Sequence, residues 1–263
     1  MSDLKSSAHN LRGMGVLVTR PAGQAESLCR FIEAHGGNAV RFPVIEILDL
    51  PEASQLEAVY EQLQKVDLAI FISANAVRNT ADRILKGRAW PSHVQVSAVG
   101  PSTIKELKKF GLPVHFYPQQ KFNSEGLLEL VELHQVRNKK IVIFRGKGGR
   151  DLLGETLRER GAELEYVEVY RRAIANSDAN KLINHFESGK IDVITLSSLE
   201  SLGNLIQLAG VPAHPWLCKT PMVVINNKMA ELVRELGSEP IQAHNATDEA
   251  IMEALLKWSK DHS

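Results

Sequence analysis

Six short apolar runs in this chain are each followed by small polar or cationic residues. Thr19, Arg20 and Pro21 follow the first run, and Ser73, Ala74 and Asn75 the second. Gly100, Pro101, Ser102 and Thr103 follow the third, and Arg145, Gly146 and Lys147 the fourth. Ser197 and Ser198 close the fifth, and Asn226, Asn227 and Lys228 the sixth. Asp and Glu make up 31 of the 263 residues, yet occupy none of these positions. Small residues at a helix start let an anion reach the free N–H groups and the positive end of the helix dipole. Ser, Thr and Asn add donors, and Arg adds a fork that fits a carboxylate or phosphate. The chemistry suggested is the holding of a ligand with many negative groups. At any single position an ordinary helix cap is the better explanation, so the set carries the argument. In "RGKGGR" (145–150), the paired glycines either ease a turn or form an anion nest.

Other chemistries find no support in the motifs. No phosphate-loop signature, dinucleotide fingerprint or G-x-S-x-G elbow occurs. The nine histidines are scattered, with no metal-ligand pairing among them, so no metal is expected.

These candidates need strands that end beside them. Strands are expected near 15–19, 68–72, 94–99, 140–144, 191–196 and 221–225. All are rich in Val, Ile, Leu or Phe with little alternation, as in parallel sheets covered on both faces. Helices are expected near 22–35, 75–86, 102–110, 150–160, 199–208 and 228–236. Gly111, Gly161 and Gly237 sit where left-handed C-caps belong. Two further helices, 123–134 and 247–259, start at Asn123 and Thr247 as N-caps. The stripe Ile251, Ala254, Leu255 and Trp258 on the last reads as core. In open parallel sheets, ligands bind beyond the carboxyl ends of the strands, which is where the candidates fall.

The pattern is written twice. "VLVTRPAGQAESLCRFIEAHGG" (16–37) and "IVIFRGKGGRDLLGETLRERGA" (141–162) share an apolar run, an Arg, a helix and a Gly, at an offset of 125. "VDLAIFISANAV" matches "IDVITLSSLESL" at 125, "AVGPSTIKELKKFG" matches "VINNKMAELVRELG" at 126, and "NSEGLLELV" matches "TDEAIMEAL" at 124. Two related α/β lobes follow, and the repeat alone suggests tandem halves split near 136. "NAVRFPVIEILDL" (38–50) and "AELEYVEVYRRAI" (162–174) are extended but interrupted by charge, which suits partly exposed linkers.

Composition narrows the classes. Hydrophobic content of 44% and charged content of 24% are those of a globular protein. Formal net charge is zero, so general nucleic-acid binding is not expected. No apolar run is long enough to cross a bilayer, so no membrane partner is expected either. The polar N-terminus lacks the apolar core of a secretory signal. Cys29 and Cys218 show no paired spacing. A reducing, cytoplasmic setting fits, with Cys29 a buried thiol in a helix.

"VTRP", "FISANAV", "VGPST", "NSEGLL" and "FRGKGGRDLLGETLRERGAELEYVEVYRR", in this order and over residues 14–257, resemble the uroporphyrinogen-III synthase family. The resemblance implies two related α/β lobes, each a parallel sheet flanked by helices, joined by a two-stranded β-ribbon. It revises the tandem split: 1–38 with 172–263 would form one lobe, 48–162 the other, and 39–47 with 163–171 the ribbon. The implied reaction is cyclisation of hydroxymethylbilane, a linear tetrapyrrole with eight carboxylates, with loss of water and inversion of ring D, in a cleft between the lobes. Thr19, Arg20, Ser197, Ser198, Asn226 and Lys228 would bind substrate from one lobe. Ser73, Asn75, Gly100, Ser102, Thr103, Arg145 and Gly146 would bind it from the other. Tyr170, in "VEVYRR", would assist departure of the hydroxyl. No cofactor is implied. Hinge motion at the ribbon, a monomer, and a transient contact with the enzyme of the preceding step are expected. One departure concerns "INNKMA", where Asn226 and Met229 stand for a Gly and a hydroxyl residue. Asn tolerates a left-handed turn, whereas Met229 supplies no donor. The alternatives are a non-catalytic two-lobed module for a small polyanion, or a regulatory domain that kept the scaffold and lost the site.

Overall fold

A computed structural model describes residues 10–50 and 55–262. Most of the polar N-terminal stretch read above, and a few residues of the expected second lobe, lie outside the described residues. In chain order the elements are β1 (Gly15–Val18), α1 (Ala22–Ala34), β2 (Asn38–Arg41), β3 (Ile45–Asp49), α2 (Leu56–Leu63), β4 (Leu68–Phe71), α3 (Ala74–Asn79), β5 (Gln95–Ala98), α4 (Pro101–Lys109), α5 (Ser124–Leu128), β6 (Lys140–Gly146), α6 (Leu152–Glu159), β7 (Glu163–Ile174), α7 (Ala179–Glu187), β8 (Val193–Thr195), α8 (Leu199–Leu217), β9 (Met222–Val224), α9 (Asn227–Glu235), β10 (Pro240–Gln242) and α10 (Asp248–Asp261). The chain forms two units. One runs to Glu46 and resumes at Ala173, and the other spans Ile47–Arg172. No helix among the described residues is long and apolar enough to cross a membrane.

The first unit holds a parallel sheet in the order β10-β9-β8-β1-β2. The second holds β3-β7-β6-β4-β5, with β7, β6, β4 and β5 parallel. At its edge β3 runs antiparallel to β7: Leu50 N–H donates to Val169 O and Ala175 N–H to Val44 O.

The 125-residue repeat survives at the level of register. Val16 pairs with Val193, and Leu68 pairs with Ile141. Gly15 pairs with Asn38, and Lys140 with Glu163. Both sheets therefore have one plan, built by exchange. The β1-α1-β2 segment of the first half joins β8–β10 of the second, and β6-α6-β7 joins β4 and β5. Even β10 has a counterpart, in the parallel bridge from Phe116 to Ser97.

The uninterrupted apolar runs follow from burial on both faces. In the second unit Ala69, Phe71, Val96, Val142 and Phe144 enter one core, where the rings of Phe71 and Phe144 stack at 4.8 Å. Leu68, Ile70, Ile141 and Ile143 enter the core on the opposite face. In the first unit Val16, Val18, Val193 and Val223 pack against α1 and α10, with Ile251, Ala254 and Leu255 among their neighbours. The expected C-cap glycines Gly111, Gly161 and Gly237 all have positive φ, as a side-chain-free residue allows.

Several elements depart from the sequence reading. The two-stranded ribbon is present with shifted bounds: Val44–Leu50 runs antiparallel to Val169–Ala175, whereas Asn38–Arg41 lies parallel to β1 and the first part of β7, from Glu163, lies parallel to β6. Their charges are accommodated because β2 closes its sheet and β7 alternates exposed Glu163 and Glu165 with buried Leu164 and Val167. The 75–86 helix changes at Thr80 into a π-helical run, Thr80–Leu85. The 123–134 helix breaks at extended Leu130. The 199–208 helix instead continues to Leu217 through a kink at Gly210, where φ is 62°. Helices α2 and α7 were missed, although Leu56, Val59, Tyr60 and Leu63 carry the helical spacing that packs α2. Asn226 needs no left-handed turn, since its φ is −161°.

The repeat also duplicates an anchor. Gly15 N–H donates to Asp192 Oδ2 and Lys140 N–H to Asp67 Oδ2, both at 2.7 Å. The bonds share no partner, so Asp67→Ala and Asp192→Ala should each cost about 1 kcal/mol and add within about 0.5 kcal/mol in urea titrations.

Cys29 is fully buried in α1, and burial pushes its thiol up. The unfolded thiol ionises near pH ~8.5 while the native one stays protonated, so stability should fall as pH rises past that point. A thiol reagent should label Cys218, which is partly exposed, in the native protein, and Cys29 only on unfolding.

Candidate functional site

The candidate residues lie where each parallel strand hands over to a helix. In the second unit the strand order puts Tyr170, Gly146, Ser73 and Gly100 on neighbouring strand ends. Ser73 is the N-cap of α3 in extended conformation, and its Oγ accepts Ala76 N–H at 3.1 Å. Tyr170 Oη lies 3.1 Å from Ser73 Oγ, and either oxygen can donate. A register shift turns Tyr170 toward this spot. Arg145 pairs with Glu168 but Gly146 pairs with Tyr170, so one residue of β7 is extra. Lys147 N–H then donates to Tyr170 O at 2.7 Å. Gly146 is required by this approach: a Cβ there would lie 2.6 Å from Tyr170 Cζ. The ring is 6% exposed, so the phenol is held on a fixed floor beside a helix start.

Arg145 does not present a free fork. Its side chain is buried and donates from Nη1 to Asp151 Oδ1 at 2.8 Å, from Nη2 to Gly148 O, and from Nε to Gly146 O at 3.3 Å. Its Cζ also sits 4.5 Å from the Tyr166 ring centre. The turn reading of "RGKGGR" is favoured over the nest, because Gly148 N–H donates to Glu168 Oε1 at 3.2 Å. Arg20 is likewise tied down, by Asp248 and by the carbonyl of Ala246. The absence of acids held for the residues next to each strand, but Asp151, Glu168 and Asp248 arrive through the fold.

Thr19 is fully buried and donates from Oγ1 to Thr195 O at 2.6 Å, which locks β1 to β8. Thr103 is fully buried with its Oγ1 unpartnered, and Met229 occupies the equivalent buried place in the first unit. The substitution of Met for a hydroxyl residue therefore falls in the core. Gly100 is also buried, with Phe122 packed where its side chain would be.

The accessible candidates are fewer. Ser102 is exposed and Asn75 half-buried. In the first unit, Ser198 and Ser201 form a reciprocal capping box at the start of α8, with half-buried Ser197 before it. Asn226 Oδ1 accepts Met229 N–H at 2.9 Å and caps α9. Lys228 is exposed and forms no ion pair among the described residues. No group of three or more metal-ligating side chains occurs among the described residues. His214 and Cys218, one helical turn apart, meet at 3.3 Å, a pairing the sequence reading overlooked.

The family model described as uroporphyrinogen-III synthase HemD matches residues 26–253. The uroporphyrinogen-III synthase of Escherichia coli is 32% identical over 92% of this chain and its own full length. The chain belongs to the uroporphyrinogen-III synthase family. The uroporphyrinogen-III synthase of Salmonella typhimurium is 33% identical, again over 92% of this chain and all of its own. Among solved structures, the uroporphyrinogen-III synthetase of Helicobacter pylori aligns with a TM-score of 0.60 at 15% identity, over 93% of this chain and 99% of that one. A Thermus thermophilus uroporphyrinogen III synthase mutant aligns at 0.58 and 20% identity, over 95% and 100%. These likenesses agree with the α/β fold of two largely parallel sheets flanked by helices. Within this family member, Arg145 is bound within its own loop and Arg20 ties the end of β1 to the start of α10.

Arg145→Ala should therefore lower stability by about 2 kcal/mol, because Asp151 and the Gly148 carbonyl lose their donor. Lys147→Ala, at an exposed position, should stay within about 0.5 kcal/mol. Thermal and urea melts of the two variants test the contrast.

Proposed function

We propose that this chain cyclises hydroxymethylbilane to uroporphyrinogen III, releasing water and inverting ring D, in the cytoplasm and without a cofactor. The observation that carries the reading is the Tyr170–Ser73 pair, 3.1 Å apart, where the parallel pairing of β7 with β6 ends beside the start of α3, in a member of this family.

The chemistry asks little of a protein beyond placement and one proton. The pyrrole nitrogen expels the hydroxyl, the C–O bond breaks, and the leaving oxygen takes a proton to depart as water. A phenol with an ordinary pKa near 10 is a weak acid but an effective donor when aimed at that oxygen. Ser73 holds the phenol and, through its cap on α3, couples it to a helix start that favours the developing negative charge. The electrophilic carbon is then attacked by a pyrrole of the same molecule, and the resulting spiro centre fragments and recloses. Loss of a proton from carbon restores the aromatic ring and returns a proton to the phenolate. The accessible donors Ser73, Asn75, Ser102, Ser197, Ser198, Asn226 and Lys228, with exposed backbone N–H groups, bind the substrate carboxylates. Arg20 and Arg145 shape the loops that carry these donors, and Gly146 leaves room for the phenol. The protein acts as a monomer, in transient contact with the enzyme that makes its short-lived substrate.

Freshly made hydroxymethylbilane closes unaided to the symmetric type I isomer. Incubation with the protein should give an excess of type III, and pure type I would end the assignment. Tyr170→Phe should lower kcat about 10- to 100-fold with a smaller change in KM, as loss of a proton donor requires.

A further inference from the structure

A groove of roughly 470 Å³ lies along the outer face of α4, lined by Pro101, Ile104, Lys105, Lys108, Tyr117 and Phe122. Its size is in the range of small-ligand pockets, about 300–1,000 Å³. Three features separate it from ordinary surface. The first is Phe122, which is 49% exposed yet firmly placed. Its Cβ packs where a Gly100 side chain would stand. The neighbouring Lys121 has its ammonium on Glu129 at 2.5 Å and its carbonyl against Gly126, and Asn123 caps α5. An apolar ring presented to water on so constrained a turn offers a stacking surface.

The second feature is charge. Lys105 and Lys108, one turn apart on α4, are exposed and form no ion pair among the described residues. Their neighbour Lys109 is the one that meets Glu106. The third is the internal repeat, which serves as a control. At the equivalent places in the first unit, Glu231 stands for Lys105, Gln242 for Tyr117 and Ala246 for Phe122. The scaffold is retained there, but the aromatic rings and one of the cations are not. The fold does not require them.

We propose that this groove takes one acid-bearing pyrrole ring, stacked against Phe122 with its carboxylates on Lys105 and Lys108. A flat, electron-rich ring suits an exposed aromatic face, and two ammonium groups suit two short carboxylate arms. The site adjoins Gly100 and Ser102 at the start of α4, so the ring held here is part of the same substrate as that of the proposed reaction. The inference therefore rests on that reading for its biological ligand.

Two measurements test it. Porphobilinogen, a monopyrrole with one acetate and one propionate, is titrated into the full chain and followed by amide NMR. Saturable shifts should centre on residues 101–108 and 117–122 and vanish in Phe122→Ala and in a Lys105→Glu/Lys108→Glu double variant. Shifts that centre elsewhere, or persist in both variants, overturn the proposal. With hydroxymethylbilane, the double variant should raise KM about five- to tenfold at unchanged Tm, since two exposed cations have been reversed. An unchanged KM also overturns it. If the wild-type protein forms no type III isomer, the synthase reading falls, and the shift map alone decides the groove.

Discussion

Two parallel pairings, Val16 beside Val193 and Leu68 beside Ile141, hold the architecture together. Each joins strands far apart in sequence. Each buries apolar side chains on both faces, where a parallel sheet must be covered. Asp192 and Asp67 clamp the amino ends of the central strands by the same bond. With strand interiors closed to solvent and amino ends occupied, the carboxyl ends are left for polar function. That is where the hydroxyls, amides and glycines collect.

The charged groups at those ends obey the usual cost of burying an ion. A guanidinium as enclosed as Arg145 must be paired and hydrogen-bonded. It is met by Asp151, two carbonyls and the Tyr166 face. Arg20 is met by Asp248 and Ala246. Both thereby stiffen the turns from which accessible donors project. The neutral caps, backbone N–H groups and solvent-facing lysines around them stay accessible, and their desolvation costs less.

The tyrosine site shows how a small irregularity redirects a side chain. Without the shift between Arg145 and Gly146, Tyr170 would not stand opposite Gly146. Without a glycine at 146 the ring could not lie against that strand, and without Ser73 the phenol would lack its partner. Three strands are involved, so the Tyr170–Ser73 contact rests on the same pairings that build the sheet.

The sequence by itself determined the six central strands, most of the helices that follow them, the capping residues and the duplication. These are local periodicities and a fixed offset, both written in residue order. It also placed the polar residues at the strand ends, because each follows its own strand directly. Only the tertiary structure decided which of them stay accessible. Thr19 and Thr103 are buried, and Met229 is core. The arginines are spent on Asp151 and Asp248, and the ribbon pairs β3 with the later part of β7 while β2 joins the other sheet. Burial and pairing depend on partners 6 to 228 residues away, and a reading along the chain cannot see which of them a fold will bring into reach.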